Sequence, residues 1–165
     1  MSETAPPTAQ SGPGAHDDNP IVQAVAPGYA FEGAALELGG LMVDATTLTD
    51  THIRIPLGML NRHGLVAGAT GTGKTKTLQL MAEQLSAAGV PVFAADIKGD
   101  LSGLATPGEP RDKLTERTAS VGQQWTATGF PVEYYALGGQ GTGIPLRVTM
   151  SAFGPTLLSL SLIHI

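Results

Sequence analysis

The sequence contains no cysteine, which excludes disulfide scaffolds and cysteine-ligated metal sites. It is also poor in charge: charged residues make up 14% of the 165 residues, and 14 acidic residues outnumber 9 lysines and arginines. The net charge of −5 is unlike that of a strongly basic DNA-binding domain. It does not exclude nucleic acid, because a few basic residues on one surface can suffice.

Long apolar runs are absent as well, and no stretch approaches the roughly 20 residues of a membrane span. Residues 1–20 lack the basic and apolar regions of a signal peptide and read as a disordered leader. We therefore predict a cytoplasmic protein with no membrane partner. The four histidines, His16, His52, His63 and His164, show no spacing typical of metal ligands.

Glycine (22 residues) and proline (12 residues) are plentiful and punctuate the first part of the chain. Residues 21–62 contain four short apolar or alternating segments, which we interpret as extended: Ile21–Ala26, Ala35–Leu38, Leu41–Val43 and His52–Ile55. The sequence therefore predicts a small β-rich segment before the main domain.

From Gly64 onward, short apolar runs alternate with helical periodicity. The predicted order is strand Leu65–Ala67, helix Lys74–Ala88, strand Val92–Ala95, helix Arg111–Thr126 and strand Val132–Leu137. Gly89 follows the first helix where a left-handed residue commonly ends one. The alternation predicts an α/β fold, a parallel sheet with helices on both faces, over residues 63–159.

Residues Gly68, Ala69, Thr70, Gly71, Thr72, Gly73, Lys74 and Thr75 match the phosphate-loop pattern G-x-x-x-x-G-K-[ST] at every defined position. Glycines let successive N–H groups point at phosphate oxygens, and the helix that follows adds the positive end of its dipole. A lysine in the position of Lys74 reaches the β- and γ-phosphates and is the predicted catalytic residue. The Thr75 hydroxyl is the predicted ligand of Mg²⁺. The eight residues are thus predicted to bind a nucleoside triphosphate, ATP or GTP.

The alternative is a chance match in a stretch rich in glycine and threonine. The position between an apolar strand and an amphipathic helix favours the functional interpretation. The second glycine cluster, Gly138–Gly143, has no Lys-Ser/Thr pair after it, and Pro145 obstructs a helix. We interpret that cluster as a loop rather than a dinucleotide site.

An acidic loop, Asp96-Ile97-Lys98-Gly99-Asp100, follows the predicted strand Val92–Ala95. Strand ends in an open α/β sheet face the ligand crevice, so Asp96 is a candidate for an indirect role at the nucleotide or Mg²⁺. The alternative is that the two aspartates cap the turns of the loop. The sequence leaves both interpretations open.

Four stretches resemble the HerA/FtsK branch of hexameric DNA-pumping ATPases: Asn61–Gly68 leading into the phosphate loop, Phe93–Gly103, Gly143–Val148 and Ser151–Ser159. The resemblance covers roughly residues 52–159. It implies a P-loop NTPase of the RecA or HerA–FtsK type and ATP hydrolysis coupled to DNA translocation or unwinding. ATP and Mg²⁺ would be the cofactors, and the partners would be DNA and further copies in a homo-hexamer. It also assigns nucleotide contacts to Asp96 and, at a subunit boundary, to Arg62; the alternative for Arg62 is a surface residue.

The chain departs from that family because it carries no Walker B Asp-Glu pair and no later arginine finger. We therefore expect a fragment that binds nucleotide but hydrolyses it very slowly. Its last residues, Leu160–Ile165, match the translation of a common transposon sequencing adapter, so we expect a non-native tail rather than a natural apolar C-terminus. Two other functions remain open, a nucleotide-dependent regulatory switch that does not move DNA and a small-molecule kinase.

Overall fold

The computed structural model describes residues 19–138 and 140–147. Its helices and strands are α1 (Pro20–Tyr29), β1 (Ala35–Val43), β2 (Thr46–Pro56), α2 (Lys74–Ala87), α3 (Asp112–Ser120), β3 (Tyr135–Leu137) and β4 (Ile144–Leu146). Short 3-10 turns lie at Leu57–Met59 and Ser102–Ala105. The chain divides into two compact units after Phe130, which are described separately.

The first unit is built on an antiparallel hairpin. β1 and β2 pair from Ala35 opposite Pro56 to Val43 opposite Thr46. Asp44 (φ 46°) and Ala45 (φ 63°) connect them, and both are left-handed. Two left-handed residues give a turn whose twist matches that of the flanking strands. The extended segments predicted at Ala35–Leu38, Leu41–Val43 and His52–Ile55 are confirmed.

Helix α1 covers the hairpin, and Val22 packs with Val43 and Leu48 in a small buried cluster. The prediction of an extended segment at Ile21–Ala26 is wrong, because these residues are helical. The signals for a helix start were present: the Asn19 side chain accepts a hydrogen bond from the Ile21 N–H at 2.9 Å, with a proline in the first turn.

Helix α2 confirms the predicted helix from Lys74, and its end has a clear cause. Gly89 is left-handed (φ 77°), its N–H bonds to Ser86 O at 3.0 Å, and the Val90 N–H bonds to Leu85 O at 2.9 Å. This pair of bonds is the Schellman motif, in which a glycine after the last turn satisfies free carbonyls.

Helix α3 ends the same way but earlier than predicted. Its last residue is Ser120, not Thr126, because Gly122 is left-handed (φ 72°). The N–H groups of Gly122 and Gln123 bond to Ala119 O and Thr118 O at 3.1 and 2.9 Å. Gly122 therefore stops the helix before the predicted end at Thr126.

The parallel sheet predicted over residues 63–159 is the main correction. Leu65–Ala67 and Val92–Ala95 form no strand in the described part of the chain, and Leu65 and Phe93 are 88% and 87% exposed. Among the described residues, the parallel pairing joins β3 to β4, two strands of three residues each in the second unit. The fold is α/β with two small sheets. An apolar run indicates that a segment tends to be buried. A strand also needs a neighbouring strand whose main-chain groups form hydrogen bonds with its own.

Among the described residues, no helix is long and apolar enough to cross a bilayer. Residues 1–18 of the predicted leader, the segment Ser151–Ser159 and the tail Leu160–Ile165 lie outside the described residues. The domain boundaries proposed from the sequence stay predictions. Residue 138 forms a turn and residues 141–143 form bends between β3 and β4, so the interpretation of these residues as a loop is confirmed.

Candidate functional site

The glycine-rich loop, Gly68–Thr75, runs into the first turn of α2. Gly71 and Gly73 have φ values of 83° and 94°, a conformation that residues with a Cβ rarely adopt. Gly73 occupies the N-cap of α2. Gly71 and Gly73 therefore stand where the backbone needs glycine, shortly before or at the helix N-terminus.

Several donors in the loop converge on one carbonyl oxygen, that of Ala69. The Lys74 ammonium donates to it at 2.7 Å, and the Thr72 hydroxyl does so at 2.8 Å. The Thr72 N–H makes a longer bond to the same oxygen, at 3.4 Å. These contacts curl the loop back on itself, with the lysine folded across it.

Close contact across this curl explains the first glycine of the motif. A Cβ on Gly68 would lie 2.6 Å from the Thr72 hydroxyl oxygen and 3.7 Å from Cγ of Lys74. A side chain at position 68 would thus enter the space enclosed by the loop.

These residues fit a magnesium–triphosphate group. The first N–H groups of an α-helix have no partner within the helix and suit an anion. Lys74 supplies a positive charge and Thr75, half-buried in the first turn of α2, supplies a hydroxyl. Mg²⁺ bound at such a hydroxyl would offset phosphate charge.

Asp96 organises its own loop. Its Oδ1 accepts hydrogen bonds from the N–H groups of Gly99 (2.9 Å) and Asp100 (3.2 Å), and its Oδ2 accepts one from Leu101 (2.8 Å). These bonds, with Leu101 contributing most, hold the pKa of the Asp96 carboxyl below its ordinary value against the opposing effect of desolvation. For Asp96 the structure shows the capping interpretation, and a role for this residue at nucleotide or Mg²⁺ stays a prediction.

One contact ties this acidic loop to the helix that carries the glycine-rich loop. The Gln79 side chain on α2 donates to the main-chain oxygen of Asp100 at 2.5 Å. Arg62 is exposed at a bend after β2, and its contact with nucleotide also stays a prediction. Within residues 19–138 and 140–147, no group of three His, Asp or Glu side chains could hold a metal ion.

Sequence reasoning missed a polar cluster around Glu37 on β1. The Glu37 N–H donates to Oε1 of Gln84 on α2 at 2.7 Å, and Nε2 of Gln84 donates to the Glu37 carbonyl at 2.9 Å. Nε2 of Gln123 donates to the same carbonyl at 3.1 Å. These partners are 47 and 86 residues apart in sequence, so no local pattern could have shown them.

The cluster borders an open cleft of about 440 Å³ between α2, the hairpin and the segment after α3. Besides Glu37, Gln84 and Gln123, its lining includes His52, Glu83, Gln124 and Trp125. Partial burial raises the pKa of the Glu83 carboxyl above its ordinary value, and the charge of Lys76 opposes this.

A second polar cluster, also missed, joins β2 to the end of α1. Nη2 of Arg54 donates to the main-chain oxygens of Tyr29 (3.0 Å) and Phe31 (2.8 Å), and the guanidinium lies 4.5 Å from the centre of the Phe31 ring. Nη1 of Arg54 and Nδ1 of His52 lie 3.8 and 3.6 Å from the Glu37 carboxylate. Arg54 thus connects β2 to the end of α1 and to Glu37 on β1.

The site thus consists of a glycine-rich loop that leads into α2 and an acidic loop tied to the same helix, and comparison with known families gives the family. Residues 42–164, more than half of the chain, match the family model described as helicase HerA-like C-terminal. The chain therefore belongs to the HerA-like helicase C-terminal family. Comparisons with curated proteins and with solved structures gave no match.

Proposed function

We propose that the glycine-rich loop binds MgATP and that the natural gene product uses ATP hydrolysis to translocate or unwind DNA as a HerA-like ring motor. The observation that carries the proposal is the convergence of the Lys74 ammonium and the Thr72 hydroxyl on one carbonyl at the N-terminus of α2. The membership of the chain in the HerA-like family supports the coupling to DNA.

Each residue has a distinct role in this proposal. The main-chain N–H groups of the loop and of the first turn of α2 would bind the phosphate oxygens. Lys74 would exchange its bond to Ala69 for one to the β- and γ-phosphates, so the ligand competes with a contact already present. Thr75 would hold Mg²⁺, and Asp96 would act indirectly by shaping the adjacent loop.

Nucleotide titration with matched lysine variants tests the binding step. Lys74→Ala removes the proposed phosphate contact, and Lys76→Ala removes a lysine on the same helix whose Nζ instead bonds to Gln79 at 2.8 Å. We expect the affinity for MgATP to fall at least about tenfold in Lys74→Ala, since a charged hydrogen bond contributes roughly 1.5–3 kcal/mol. Lys76→Ala should bind like the unmodified chain. Equal affinity in both variants would contradict the assignment.

DNA-stimulated ATP hydrolysis by the natural gene product tests the motor proposal. Duplex DNA should raise the rate, and Lys74→Ala should abolish the increase. The alternative is a regulatory ATPase that uses nucleotide to set its assembly without moving DNA. That function predicts oligomerisation that depends on nucleotide and a hydrolysis rate that DNA leaves unchanged.

A further inference from the structure

The strand edge of β1 away from β2 carries an unusual partner. In an antiparallel pair, alternate residues direct both main-chain groups away from the neighbouring strand. The described sheet contains only β1 and β2, so these groups on β1 need other partners. At Glu37 both groups are satisfied by the side chain of Gln84, at 2.7 and 2.9 Å.

A glutamine side chain suits this position because its carboxamide has the same donor and acceptor as a peptide group. Gln84 therefore acts as one residue of an additional strand, presented from a helix. A β-bulge directly follows, since the pairing register shifts between Glu37 and Gly39. Bulges bend and locally disrupt a strand, so the contact falls where β1 is least supported by β2.

The contact also closes a loop around the glycine-rich segment. The chain leaves the hairpin at Pro56, whose partner is Ala35, and returns to it through Gln84. The intervening residues include the whole glycine-rich loop. The Gln84 contact thus ties α2, the helix that begins directly after the glycine-rich loop, to the hairpin.

We propose that Gln84 is a positioning residue, whose carboxamide completes the free edge of β1 at Glu37 and thereby holds α2 and its N-terminal loop in place for nucleotide. The part that concerns nucleotide rests on the proposed function, whereas the contact with β1 is independent of it. We call this pair of hydrogen bonds the Gln84 bridge.

Amide hydrogen exchange at Glu37, followed by NMR in the full chain, tests the bridge without nucleotide. Gln84→Met keeps the length of the side chain but removes both hydrogen-bonding atoms. The Glu37 amide should then exchange roughly tenfold faster or more, the scale expected for a lost hydrogen bond. An unchanged rate in this variant would overturn the bridge.

Gln84→Glu adds a readout that loss of packing cannot imitate. An ionised carboxylate could still accept from the Glu37 N–H, but it has no donor for the Glu37 carbonyl and places a negative oxygen against that carbonyl oxygen. We expect this repulsion to displace the side chain from β1 and free the Glu37 N–H, whereas a protonated carboxyl has both a donor and an acceptor. The carboxylates of Glu37 and Glu83 face the same cleft and favour the protonated form, while His52 and Arg54 oppose them. The net result we expect is a folded pKa raised above the unfolded value of about 4.3.

The sign of the pH effect follows from that raised pKa. The bridge should be intact below the unfolded pKa of the introduced carboxyl and be lost as pH rises through the folded pKa. The Glu37 amide exchange rate in Gln84→Glu, divided by the rate in the unmodified chain, should therefore approach one near pH 4 and increase toward neutral pH. In Gln84→Met the ratio should stay high throughout. A ratio for Gln84→Glu that does not change with pH would overturn the proposal.

MgATP affinity at neutral pH then tests the positioning role. We expect Gln84→Glu to bind about three- to tenfold more weakly, a loss comparable to one hydrogen bond. Gln124→Glu makes the same charge change at an exposed residue of the same cleft and should bind normally. Faster Glu37 exchange with unchanged affinity would overturn the positioning role. If the unmodified chain binds no MgATP, the proposed function is wrong, and hydrogen exchange at the Glu37 amide alone tests whether the Gln84 bridge exists.

Discussion

Gly68 and Thr72 approach so closely that a Cβ on Gly68 would lie 2.6 Å from the Thr72 hydroxyl oxygen. Gly68→Ala should therefore push Thr72 aside and distort the main chain that would bind phosphate, which should weaken MgATP binding roughly tenfold, because overpacking typically costs about 1–3 kcal/mol. Isothermal titration or a fluorescent nucleotide analogue would measure this.

Two comparisons separate this contact from a general effect of alanine. Gly64→Ala should be neutral, because no atom lies within 4 Å of the Cβ it would add. In a Thr72→Ala background the clashing oxygen is absent, so Gly68→Ala should lose much of its effect. An equal loss in both backgrounds would show that the contact is not the cause.

The hairpin turn gives a second prediction, one of increased stability. Ala45 has φ 63°, and an L-residue with a Cβ pays roughly 1–2 kcal/mol for that conformation. Ala45→Gly removes this cost but loses more chain entropy, so we expect a net gain of about 0.5–1 kcal/mol. Urea unfolding monitored by circular dichroism would measure it. Ala34→Gly, before β1 and without a left-handed backbone, should not stabilise.

The acidic loop gives a prediction on pH. The lowered pKa of Asp96 means that its contribution to stability is complete above the unfolded value of about 3.9 and is lost as pH falls through the folded value. In an NMR titration, the Leu101 amide should therefore change at lower pH than Asp96 titrates in the urea-unfolded chain. Asp96→Asn should abolish that transition and Asp100→Asn should retain it. A Leu101 transition at the unfolded value would contradict the hydrogen bonds.

Arg54 gives a prediction on the hairpin and α1. A lysine keeps the charge but cannot reproduce the planar group that reaches two carbonyls and lies on the Phe31 ring. Arg54→Lys should reduce the free energy of unfolding by about 1–3 kcal/mol. Arg117→Lys, at an exposed site in the last turn of α3, is the matched control and should change little. Similar losses in both variants would contradict this account.

How far the sequence predicts this structure depends on the range of the forces involved. Helix α2 and its end at Gly89 were predictable, because periodicity and a left-handed glycine act within a few residues. The same rule applied to Gly122 would have ended α3 correctly. The strands expected at Leu65–Ala67 and Val92–Ala95 do not form. Local sequence could not show this, since a strand depends on a neighbouring strand that the local sequence does not specify.

The candidate site divides in the same way. The glycine-rich loop was visible as a motif, and the left-handed conformations of Gly71 and Gly73 agree with the need for glycine there. The contact between Gln84 and Glu37 was invisible, since a glutamine on a helix has many possible partners and the bond spans 47 residues. Long-range polar contacts need the folded chain to be recognised.

Trp125, which borders the cleft beside the Gln84 bridge, is the single tryptophan of the sequence. Its indole is therefore a built-in optical probe whose emission comes from this one place. A movement of α2 away from the hairpin would let more water reach the ring and shift the emission to longer wavelength. The chain can thus report the state of the cleft without any attached dye.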